Sequence, residues 1–248
     1  MEQITQLVVQ QYITGLVNSG HNKGGVYSHY APIRTFLKWY ADQTDTPNPI
    51  EKYKLKRPGY TPLPVAEIKD IRGLLLTCKN DFFGLRDRFI ILALIDTGAR
   101  ASELLALVKE DIDLISGLVK IRHGKGDRFR FVKIGRETLK AYRRYLKVSR
   151  SNFVFTNYYQ DQQLTISGLR LMLIRRSKKA GVKYHSPHSY RRLCNVILIR
   201  AGVNIYSIMA YMGHSSIEVE KRHYAAMSGQ DIDTAFIQAN PVENLGLR

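Results

Sequence analysis

Acidic residues are scarce in this chain of 248 residues: 21 Asp and Glu stand against 38 Lys and Arg, a formal charge of +17. A field of that sign favours a polyanion, either nucleic acid or an anionic membrane surface. Long apolar runs are missing too. The longest, FIILALI from Phe89 to Ile95, is far too short to cross a bilayer, which disfavours a membrane role. MEQITQLVVQ at the start lacks the basic and long apolar regions of a secretory signal. Only two cysteines occur, Cys78 and Cys194, far apart and each in apolar surroundings. Reduced, buried thiols in a cytoplasmic protein are expected, with DNA or RNA as partner. No paired acidic cluster is available to hold Mg²⁺, and no GxxxxGK[ST] run forms a nucleotide-phosphate loop.

What is present divides the chain. The stretch TDTPNPIEKYKLKRPGYTPLP carries prolines at 47, 49, 58, 62 and 64 and the basic residues Lys52, Lys54, Lys56 and Arg57. Such a stretch cannot continue a helix, and it lies between two helical regions, so residues 47–63 read as a basic linker. Residues 1–46 show helical periodicity in two blocks, Ile4 to Leu16 and Val26 to Ala41, and read as a small all-α module. Residues 64–248 read as a larger, mainly α domain with a small antiparallel β-sheet. Its one departure from helical patterning is LVKIRHGKGDRFRFVKI, Leu118 to Ile134, which alternates apolar and polar residues on both sides of a Gly-Lys-Gly-Asp turn, as a hairpin does.

Four stretches of the larger domain carry candidate chemistry. In DTGARASELLAL, Gly98 is a helix C-cap, Arg100 lies in the turn before the next helix, and Glu103 follows three residues on to orient the guanidinium. In HGKGDR, Lys125 projects from the hairpin tip. In HSPHSYRRLCNVILIRAG, Ser186 and Pro187 start a helix that places His188 and Arg191 on one face near its positive end. In GHSSIEVEKRHYAAM, Gly213 stops a short helix, His214 follows, and a final helix carries Tyr224. Each alone reads equally as a surface arginine, a solvated turn lysine, a helix start, or one of fifteen packed tyrosines. Together they suit one reaction class, attack of a tyrosine hydroxyl on a phosphodiester. Arginines neutralise the phosphorane in place of a metal, and a histidine or lysine moves the protons.

These stretches, in this order, resemble the tyrosine recombinase (phage integrase) family across nearly all of residues 60–227. The resemblance implies a tyrosine-recombinase-like catalytic domain preceded by a core-binding module, in a small two-domain form without an arm-binding domain. It implies that Arg100 and Arg191 bind the scissile phosphate, Lys125 protonates the leaving 5′ oxygen, and Tyr224 is the nucleophile. His188 and His214 take the family's two histidine positions, and Glu103 an acidic position behind them. It further implies site-specific recombination through a 3′-phosphotyrosyl link and a Holliday junction, without cofactor or metal. The partners it implies are double-stranded DNA and further copies of the chain, a dimer at each site and a tetramer in synapsis. DNA contacts are expected from Lys52, Lys54, Lys56, Arg57, Arg122 and Arg128. Ser189 and Tyr190 stand where the family usually has Asp-Leu, and His214 lies ten residues before Tyr224, one more than usual. Two other enzyme readings are a type IB topoisomerase-like activity and a metallonuclease using His185, His188, His214 and His223. A third is an inactive DNA-binding relative.

Overall fold

Helix α1 (Gln6–Asn18) starts where the Thr5 hydroxyl accepts the Val8 N–H, and α2 (Lys23–Thr44) where the Asn22 side chain accepts the Gly25 N–H. In this computed structural model, which describes residues 4–59, 63–122, 129–157 and 162–213, the chain forms two compact units, Met1–Thr61 and Pro62–Arg248. The first is built on α1 and α2, whose Val9, Ile13, Val26, Tyr30 and Leu37 bury against Ile50.

That contact changes the expected linker. Ile50 is fully buried, Tyr53 and Leu55 pack on the same cluster, and the Tyr30 hydroxyl donates to the Tyr53 carbonyl. Two helices alone bury too little apolar surface to be stable, and the apolar residues interleaved with the basic run supply the rest. The first part of the 47–63 segment is therefore core of the first unit.

The second unit is organised around α4 (Phe82–Thr97). Phe89, Ile90, Ile91, Ala93 and Leu94 are all buried, so its apolar surface is not confined to one stripe, as suits a central helix. It packs against α6 (Arg136–Leu146) and α8 (Pro187–Arg200), while α3 (Ile68–Leu76) packs on α7 (Ile166–Ala180). Phe89 stacks between Tyr142 and Phe155, with ring centroids 4.6 and 5.1 Å away. A buried ion network joins α4 to α7: Asp87 takes Arg86 on one oxygen and Arg176 on the other. These two arginines, Arg86 buried and Arg176 half-buried, hold helices together.

After the short α5 (Ala101–Leu105) come strands β1 (Leu118–Arg122) and β2 (Phe129–Lys133), antiparallel with Val119 opposite Val132 and Ile121 opposite Arg130. Val119, Ile121, Arg130 and Val132 form the buried face of this hairpin. Helix α9 (Ile205–Met212) ends at Gly213 in the left-handed conformation, φ +67°. The fold is mainly helical with a small antiparallel sheet. No helix among the described residues is long and apolar enough to cross a membrane. Cys194 is buried and Cys78 half-buried, both as free thiols.

Candidate active site

Three consecutive carbonyls at the C-terminal end of α9 each accept a hydrogen bond from a different arginine. Arg130 Nε donates to Tyr211 O at 2.8 Å, Arg191 Nη2 to Met212 O at 2.6 Å, and Arg100 Nη2 to Gly213 O at 3.4 Å. The last carbonyls of a helix have no intrahelical partner and carry partial negative charge, so this end is a natural seat for cations. The arginines arrive from separate elements: β2, α8 and the turn between α4 and α5. Residues remote in sequence thereby become one cluster.

The α4–α5 turn is shaped by Gly98, which caps α4 at φ +54°. A Cβ there would meet Met212 Sδ at 2.8 Å and Cys194 Sγ at 3.0 Å, so glycine is required by both backbone and space. Its carbonyl accepts Arg191 Nη1 at 2.6 Å. Arg191 is thus held between two carbonyls and is almost fully buried, whereas the Arg100 side chain is 41% exposed. Burial, with Arg100 close by, pulls the Arg191 guanidinium down to about 10. It remains charged at neutral pH.

Glu103 is the counter-charge. Burial alone would raise its carboxyl, but hydrogen bonds from Arg130 and Arg100 outweigh that and take it down to about 2. Arg100 Nη1 reaches Oε1 at 2.8 Å, and Arg130 Nη2 reaches Oε2 at 2.8 Å. The Arg100 backbone N–H also donates to Oε2 at 2.9 Å, which starts α5 with its own third residue as the cap. One carboxylate among three guanidiniums leaves an excess of positive charge, the electrostatic requirement of an anion site.

The structure therefore brings together Arg100, Arg191 and Glu103 of the residues marked in the sequence. His188 is exposed in the first turn of α8, three residues before Arg191. His185 forms a buried pair with Asp70, its Nε2 2.7 Å from Oδ2. Lys125, Arg128, His214, His223 and Tyr224 lie outside the described residues. Lys52, Lys54, Lys56 and Arg57 are exposed on the first unit. Arg122, expected as a DNA contact, is engaged by the buried Asp111, Nη2 to Oδ1 at 2.6 Å. Sequence reasoning missed Arg130. Its signal was there: in FRFVK, Arg130 shares a face with Val132, and a charge on the apolar face of a hairpin requires a buried acid.

The architecture is that of tyrosine recombinases. The Tn1549 transposon integrase in complex with transposon right end DNA aligns with a TM-score of 0.76 at 18% identity, over 98% of this chain and 87% of that one. The XerH site-specific recombinase bound to palindromic difH substrate, a post-cleavage complex, gives 0.74 at 16% identity, over 96% and 73%. The phage integrase family profile matches residues 65–230, and the chain belongs to that family, the tyrosine recombinases. The XerC tyrosine recombinase of Syntrophus aciditrophicus (strain SB) is 28% identical over 97% of this chain and 81% of its own. The XerA tyrosine recombinase of Saccharolobus solfataricus is 28% identical over 84% and 65%. The protein is accordingly an enzyme of site-specific recombination.

Proposed function

We propose that this protein binds duplex DNA and recombines it at specific sites through a 3′-phosphotyrosyl intermediate on Tyr224 and a Holliday junction. The observation that carries the reading is the convergence of Arg100 and Arg191 on the adjacent carbonyls of Met212 and Gly213. Two fixed guanidiniums neutralise a phosphodiester as it becomes a pentacoordinate phosphorane, and being preorganised they need no rearrangement at that moment.

In this mechanism the Tyr224 hydroxyl oxygen attacks phosphorus and loses its proton to His188 or His214. The P–O5′ bond breaks, and Lys125 protonates the departing 5′ oxygen. Cleavage leaves Tyr224 esterified to the 3′ phosphate and a free 5′-hydroxyl. The 5′-hydroxyl of the partner strand then attacks that ester and regenerates the tyrosine. Because one phosphoester replaces another at each step, no external energy source or cofactor is consumed. Glu103 holds Arg100 in place throughout. Lys52, Lys54, Lys56, Arg57, Arg122 and Arg128 are assigned to the DNA backbone, where contacts position the duplex and carry no base identity. Two protomers act at each site and four in synapsis, on the nucleoid in the cytoplasm.

A nicked suicide duplex tests this. Wild-type protein should form a covalent protein–DNA adduct and intermolecular strand-transfer products, in the presence of excess EDTA. Tyr224→Phe should bind the duplex and form neither. Arg100→Ala and Arg191→Ala should each lose cleavage by about 10²–10³-fold. An adduct from Tyr224→Phe would remove the nucleophile assignment, loss of activity in EDTA would restore a metal, and plasmid relaxation without strand transfer would indicate a topoisomerase.

A further inference from the structure

Tyr211 joins every element that presents an arginine to the α9 end. Its hydroxyl donates to Asp96 O at 2.7 Å, at the end of α4, with Lys133 O at 3.0 Å. The same oxygen accepts the Lys133 N–H at 3.2 Å, at the end of β2. Its own carbonyl takes Arg130 Nε. Its ring packs against both the main core of the second unit and the smaller cluster of Cys194, Ile199, Ile208 and Met212 between α8 and α9. Met212 and Gly213, the acceptors of Arg191 and Arg100, follow directly. Burial raises the phenol to about 12, so it stays a neutral donor across the working pH range.

A residue that only stabilised a helix would need its ring alone. Here hydroxyl and carbonyl both grip β2, one at Lys133 and one at Arg130, while the hydroxyl also grips α4 four residues before Arg100. A slide of α9 against the hairpin or the α4–α5 turn would break these bonds and carry the Met212 and Gly213 carbonyls away from their arginines. We propose that Tyr211 is a positioning residue for strand cleavage, registering Arg100, Arg130 and Arg191 against one another through its hydroxyl and its carbonyl. The inference rests on the reading of Arg100 and Arg191 as phosphate-binding groups.

The test is Tyr211→Phe, which keeps the ring and its apolar contacts and removes only the hydroxyl. Arg130→Lys, which removes both the Nε donor to the Tyr211 carbonyl and the Nη2 donor to Glu103, is compared with it for cleavage only. DNA affinity and single-turnover cleavage are measured on two suicide duplexes, one ordinary and one with a neutral methylphosphonate at the scissile position. Both variants should cleave the ordinary duplex about tenfold or more slowly, and Tyr211→Phe should bind it as wild type does, since the lost hydroxyl bonds release the ends of α4 and β2 that they held together. On the methylphosphonate the deficit should shrink, because a neutral phosphorus centre draws less on the arginines. A lower melting temperature with unchanged cleavage, or an equal deficit on both duplexes, would overturn the inference and show Tyr211 to be structural. An adduct that survives in Tyr224→Phe would instead bring down the underlying mechanism, so the two failures are distinguishable.

Discussion

Arg130 Nη2 stands 2.8 Å from Glu103 Oε2, joining the inner face of β2 to the first turn of α5. Both side chains are more than nine-tenths buried. A pair of this kind costs desolvation to form and far more to break, because a lone partner is left charged and dry. Glu103 would still keep Arg100, so Arg130→Ala should lower unfolding stability by about 1–3 kcal/mol, read from chemical denaturation. Glu103→Gln should cost less in the Arg130→Ala background than alone, and simple additivity of the two losses would show that the pair is not a unit.

Stability should also fall in acid through Glu103. Its carboxyl lies at about 2 in the folded protein against an ordinary 4.5. Below 4.5 the unfolded chain takes up a proton that the folded one refuses. The contribution is therefore complete above that value and lost progressively as the pH falls towards 2. Denaturation midpoints across this window should show a shallower acid slope in Glu103→Gln than in wild type. Identical slopes would mean that the carboxylate is not held by its arginines.

Gly98→Ala should damage both fold and site. The positive φ alone costs about 1–2 kcal/mol for a residue with a Cβ. The new methyl would also press on Met212 and Cys194, both buried. Since Gly98 O anchors Arg191, cleavage should slow more than DNA binding. A variant with lower thermal stability but wild-type single-turnover cleavage would separate the turn from the arginine.

Much of the frame was legible in the sequence. Helical periodicity marked the helices, glycines marked their ends, and Gly98 and Gly213 do cap α4 and α9 with positive φ. The alternation around GKGD marked the hairpin, whose strands are Leu118–Arg122 and Phe129–Lys133. The proximity of Arg100 and Glu103 followed from a three-residue spacing at a helix start, which is local geometry.

What the sequence did not show was non-local. Ile50 looked like part of a linker because proline and lysine dominate its neighbourhood, yet its one apolar side chain completes the core of the first unit. Arg122 was expected as a DNA contact, and its pairing with the buried Asp111, which leaves 56% of its side chain exposed, joins residues eleven positions apart. Arg130 looked like one basic residue in a basic run, and its pairing with Glu103 spans 27 positions of sequence.

By itself, then, the sequence determined the positive field, the helices and the hairpin, because these depend on composition and short-range periodicity, while the roles expected of the site residues came with the resemblance to the family. Only the tertiary structure decided which arginines meet. Helix α9 ends where β2, α8 and the α4–α5 turn converge, and its unpaired carbonyls hold Arg130, Arg191 and Arg100 in one place. Like charges gather there because a helix terminus and one buried carboxylate offset their repulsion, a balance that exists only once the chain is packed.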